Sequence, residues 1–144
     1  MKKLINRAFL YGMLALLGGV FYREFTKWNG FEGRTALSFV HPHLLMLGSL
    51  LLLLMALFSL HLPLMESKRF RTFLTLHTIA LPFMVIMMLV RGVVQVMGTE
   101  VTRGLDGAIS GLAGLSHIVL AVALVYMFLA LKSGVDIKAS QQEA

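Results

Sequence analysis

Four apolar stretches dominate this chain: Leu10 to Tyr22, extendable back to Leu4, then Phe39 to Leu60, Phe73 to Met97 and Ala108 to Leu131. Crossing the hydrocarbon of a bilayer takes roughly 20 apolar residues of helix, and most of these stretches reach that length. Backbone N–H and C=O groups find no water inside lipid, so each crossing segment must satisfy its own hydrogen bonds as a helix. The 58% hydrophobic content and mean hydropathy of +0.81 exceed what a soluble domain can hide. The sequence therefore predicts an all-α integral membrane four-helix bundle. One transmembrane domain covers residues 1–144, with spans near 5–23, 39–61, 73–97 and 108–131. The first stretch, preceded by Lys2, Lys3 and Arg7, has the look of a signal peptide. No small-x-small cleavage site follows it, however, and Tyr22-Arg23-Glu24-Phe25 runs straight on.

There are no cysteines, which excludes disulfides, thiolate metal sites and cysteine nucleophiles, and leaves His and Met as cofactor ligands. The net charge of +6 does not point to nucleic acid, because the basic residues sit at the ends of apolar spans instead of along one face. Lys2, Lys3 and Arg7 precede the first span, Lys68, Arg69 and Arg71 follow the second, and Lys132 and Lys138 follow the fourth. In the opposite loops Arg23, Lys27, Arg34 and Arg103 are offset by Glu24, Glu32, Glu100 and Asp106. The positive-inside rule makes both termini cytoplasmic and the lipid bilayer the chain's first partner.

Local signals refine this plan. Asn29-Gly30 and Gly33 mark a turn in the first outer loop, with Tyr22 and Trp28 in the interfacial aromatic belt. Ser38 is the expected N-cap of the second span, which puts Pro42 near its first turn, where a missing N–H costs little. Pro82 falls inside the third span and should kink it or free a carbonyl. The tail from Ser133 to Ala144 is polar and expected to fray.

Polar groups within apolar spans are costly and mark function by default. His41 and His43 are two apart, so in a helix they point about 200° from each other and serve separate sites, or else rest at the outer interface on loop backbone or water. Gly107, Gly111, Gly114 and Ala121 make a small-residue side of the fourth span, shared by Ser110 and His117; helix packing or a flat macrocycle would both use it. Arg91 lies roughly 9 Å inside Met97 with Gln95 a turn further out. Its guanidinium calls for a carboxylate, either Glu24, Glu100 or Asp106 or the propionates of a haem. His61 and His77 fall towards the cytoplasmic ends of their spans and are expected at the interface. Met84, Met87 and Met88 cluster on the third span, where adaptable packing accounts for them.

The strings Tyr22-Arg23-Glu24-Phe25-Thr26-Lys27, His41-Pro42-His43-Leu44-Leu45-Met46-Leu47-Gly48, Met88-Leu89-Val90-Arg91-Gly92 with Gln95-Val96-Met97-Gly98-Thr99, and Gly104-Leu105-Asp106 through His117 resemble the uncharacterised bacterial membrane family known as domain of unknown function 2871. That resemblance spans nearly the whole chain and implies a multi-pass protein of the bacterial inner membrane, without an assigned activity. More distantly, the His-x-His start of the second span resembles haem-copper oxidase subunit I, in which one helix presents histidines to two haems on opposite sides. It implies b-type haem near the outer leaflet, with iron held by His41 or His43 and an arginine such as Arg91 near the propionates. The adjacent histidine pair that binds copper in the oxidases has no counterpart here, so oxygen reduction is not implied.

Together these features give metal-ligand candidates His41, His43 and His117 and cofactor-binding candidates Arg91, Gln95, Gly111 and Gly114, in a haem b protein for electron transfer or small-gas sensing. A cofactor-free transporter subunit or assembly factor is the alternative. On the span boundaries above, His43 lies roughly 6 Å below the outer end of its span and His117 roughly 14 Å. That mismatch favours a haem shared between His41 of one chain and His43 of the next. The oxidase subunit has twelve helices in three groups of four, so the resemblance implies a homotrimer.

Overall fold

The computed structural model describes residues 1–143. Four helices are long and apolar enough to cross a membrane: α1 (Lys2–Trp28), α2 (Leu37–His61), α3 (Lys68–Met97) and α4 (Arg103–Glu143). A single 3₁₀ turn, Leu64–Glu66, joins α2 to α3.

Each helix outruns its apolar stretch. Beyond the hydrocarbon, helix continues wherever the flanking residues favour it. Lys2 and Lys3 extend α1, and Lys, Ala, Gln and Glu carry α4 through the tail that was expected to fray, Ala144 lying outside the described residues. Tertiary contacts help: the Cβ of a residue at Gly134 would meet Leu62 and Leu64, and Arg69 donates to Ser133.

The helices form an open series in which α1 packs along α2, α2 also meets α3, and α3 runs along α4. Small residues permit the close approaches. A Cβ added at Gly48 of α2 would stand 2.7 Å from the Tyr11 side chain of α1, and one at Gly18 would stand 3.0 Å from Val40. Such contacts hold helices together in lipid, where apolar burial alone gives little preference for a neighbour over an acyl chain.

The entry to α2 differs from expectation. The helix begins at Leu37 with Ala36 as N-cap, and Ser38 sits in its first turn, donating to the Thr35 carbonyl at 2.8 Å. A neighbouring helix supplies the cap instead, since Gln95 Oε1 of α3 accepts the Ala36 N–H at 2.7 Å. Pro42 consequently falls in the second turn, and a widened π-helical stretch, Leu44–Leu50, follows it. Pro82 does not interrupt α3, which stays helical to Met97; its ring nitrogen has no hydrogen to give the Thr78 carbonyl.

His77 also departs from the sequence reading. It is not interfacial but 1% exposed, with Tyr11 edge-on at 6.0 Å and its Nε2 donating to the Leu47 carbonyl of the π-helical stretch at 2.8 Å. A buried imidazole needs such a partner, and the altered bonding of the π segment offers a carbonyl for it.

The basic residues at the N-terminus, the α2–α3 turn and the end of α4 make a cytoplasmic location of both termini the expectation, and it is directly testable. In right-side-out vesicles of this cysteine-free chain, an impermeant thiol reagent should label Trp28→Cys, an exposed position, and leave Ser67→Cys unlabelled. The reverse pattern would turn the chain over.

Candidate functional site

Helix α3 acts as the ruler that sets the depth of the histidines. Near its outer end the Gly92 carbonyl accepts from Thr35 Oγ1 at 3.0 Å, and Gln95 holds Ala36, which fixes the start of α2. One turn before Gln95, on the same face, Arg91 forms an ion pair with Asp106 at 3.1 Å and donates to Ser110, which fixes α4. Counting seven residues inward from Ala36 reaches His43, and seven inward from Ser110 reaches His117. Both travel about 10 Å at 1.5 Å per residue, so the two histidines arrive at one depth.

The rings of His43 and His117 are 6.4 Å apart between centroids, with planes crossing at 81°. This replaces the depth mismatch inferred from span boundaries. That inference gave α2 and α4 a common outer edge, whereas the first residue of α4 lies well outside that of α2 once both are registered on α3.

The local chemistry of the two rings matches. His43 Nδ1 lies 2.7 Å from the Phe39 carbonyl and His117 Nδ1 lies 2.7 Å from the Ala113 carbonyl, each four residues back in its own helix. A carbonyl only accepts, so Nδ1 carries the proton and the neutral ring keeps a lone pair on Nε2. A hydrogen bond of this kind, from the ring nitrogen away from the metal, orients metal-ligating imidazoles. His77 has the opposite tautomer, with Nε2 committed to Leu47.

The other candidates fall as follows. His41 faces α1, its ring seated over Gly19 and its Nδ1 3.3 Å from the Ala15 carbonyl. The two histidines of the His-x-His pair thus serve opposite sides of α2, as their spacing requires. Gly111 and Gly114 have open space where a Cβ would stand, and Gly114 is one turn before His117. Arg91, Gln95 and Asp106 share a cleft of about 250 Å³ at the outer end of α3 and α4. Asp106 is the carboxylate that Arg91 required, chosen from three by its place one turn before Ser110 on the facing helix. Thr35 and Gly92 were not singled out from sequence; a buried threonine just before an apolar span was the signal for the first, and nothing marked the second.

Two imidazoles suit a metal that brings its other ligands along. Among the described residues no three His, Asp or Glu side chains gather as a metal-binding cluster, so a bare divalent ion would lack donors. A macrocycle would bring nitrogen donors of its own, and His43 and His117 would hold it.

No curated protein and no solved structure matches the chain. The family match covers residues 1–134, and the chain belongs to the family described as a protein of unknown function (DUF2871).

Proposed function

We propose that this membrane protein binds b-type haem through His43 and His117 and carries electrons. The observation that carries the reading is the pair of imidazoles on different helices, 6.4 Å apart and each with Nδ1 tied to a carbonyl. When bound, such a group supplies reversible one-electron chemistry at iron. If His43 and His117 both held the group, electron transfer would be favoured over gas sensing, which needs an open coordination site.

The chain's own residues would do the rest. Phe39 and Ala113 hold the rings by their carbonyls, fixing the tautomer and raising the basicity of Nε2. Gly111 and Gly114 leave one side of α4 bare for a flat ligand. Arg91 stands about two turns from the histidines, where its remaining N–H groups would hold the carboxylates of the macrocycle, while Asp106 and Ser110 keep it in place. Gln95 contributes indirectly, by fixing the start of the helix that carries His43.

His117 is exposed on the outer side of the chain, so a macrocycle held there needs cover. A second copy of the chain provides it in our reading, and the expected assembly is a homotrimer in the bacterial inner membrane. One preparation tests both points. Protein purified in mild detergent from haem-replete cells should show a Soret band that shifts on reduction, with a detergent-corrected mass of three chains. A colourless preparation would overturn the haem reading in favour of a cofactor-free transporter subunit or assembly factor. A monomer retaining full haem would overturn the trimer alone.

A further inference from the structure

Between α1 and α3, over Val40 and Leu44 of α2, lies a groove of about 570 Å³. Its walls are apolar, among them Leu14, Phe21, Ile86 and Leu89, and its polar end is formed by Arg7 and Thr78. From Thr78 to Leu89 the wall runs about 16 Å along α3, close to the roughly 15 Å of one bilayer leaflet's hydrocarbon. A second cleft of about 440 Å³ shares Arg7 and Thr78 and adds Arg71 and Thr75. Arg7 donates to Thr78 Oγ1 at 3.2 Å, and Arg71 donates to the Glu66 carbonyl. Among the described residues neither arginine has a carboxylate partner.

We propose that this groove is a specific site for an anionic phospholipid, with one acyl chain lying between α1 and α3 and the phosphate held by Arg7 and Arg71. Length, apolar lining and a head end of two guanidiniums match that one ligand from tail to phosphate, while the Thr75 and Thr78 hydroxyls donate to the Arg71 and Leu74 carbonyls of their own helix. Arginine's fork suits phosphate oxygens, and a pair of unneutralised cations at the interface selects net negative headgroups over zwitterionic ones. The site lies on the face of α3 opposite the haem reading's residues and does not depend on it.

Native mass spectrometry of the full chain tests the proposal, with phosphatidylglycerol and phosphatidylcholine of identical chains offered in detergent. Phosphatidylglycerol should be retained at one molecule per chain, at least about tenfold more tightly than phosphatidylcholine. The double variant Arg7→Gln, Arg71→Gln should remove that preference. Ile86→Trp, a change at a 53% exposed wall position that leaves the core alone, should lower retention of both lipids. Inorganic phosphate at millimolar concentration should not displace the bound lipid. Equal retention of the two lipids, indifference to either variant, or displacement by inorganic phosphate would each overturn the site.

Discussion

Alanine at either His43 or His117 should strip the protein of its haem, dropping the Soret absorbance per chain by tenfold or more, while His41→Ala and His61→Ala leave it in place. Two imidazoles would hold the group as a chelate does, so the loss of one would leave the other to retain it alone. The magnitude follows the usual cost of deleting a first ligand, since even outer-shell partners are worth 10- to 100-fold in affinity. His41 is the discriminating control. Its ring rests over Gly19 with Nδ1 towards the Ala15 carbonyl, on the side of α2 away from His117. Loss of haem in His41→Ala with retention in His117→Ala would mean ligands shared between neighbouring chains, the arrangement inferred from span boundaries. A substitution that keeps a ligand adds a readout that misfolding cannot imitate. His117→Met should retain haem, shift its spectrum and raise its potential, because thioether in place of imidazole favours the reduced iron.

The four helices were legible because lipid leaves the sequence little choice: long apolar runs with basic flanks read as spans by length alone. Their ends were not, since Lys, Gln, Glu and Ala favour helix even where hydropathy has fallen away, and α4 reaches Glu143. The opposed directions of His41 and His43 followed from helical periodicity. The partnership of His43 with His117 did not, because it depends on how α2 and α4 register on α3, and that register is set by Thr35, Gln95, Arg91 and Asp106 together. Counting from hydropathy edges could not reveal it. His77 was misread for a related reason: its depth in the chain suggested an interface, whereas its burial depends on a carbonyl in the π-helical stretch of another helix.

Gly92 and Gly114 look alike in the sequence, each a glycine in an apolar helix, yet substitution should affect them in opposite ways. At Gly92 an added Cβ would stand 2.6 Å from the Leu37 backbone nitrogen and 2.5 Å from its side chain. Backbone cannot swing aside as a flexible side chain can, so Gly92→Ala must push α2 away from α3. The same movement strains the bonds from Thr35 to the Gly92 carbonyl and from Ala36 to Gln95. Overpacking of this kind costs about 1–3 kcal/mol, well above the gain of roughly 0.5–1 kcal/mol that alanine brings to a helix interior. Gly92→Ala should therefore melt at lower temperature in detergent and, because α3 sets the depth of His43, bind haem weakly as well. At Gly114 nothing lies within 4 Å of the added atom. Gly114→Leu should leave the melting temperature of the haem-free protein unchanged or slightly raised while excluding the macrocycle from the bare side of α4. Fold lost at position 92 and haem lost with fold intact at position 114 would separate a packing glycine from a ligand-facing one. Full haem in Gly114→Leu would remove that side of α4 from the site and leave the two histidines to be served from another direction.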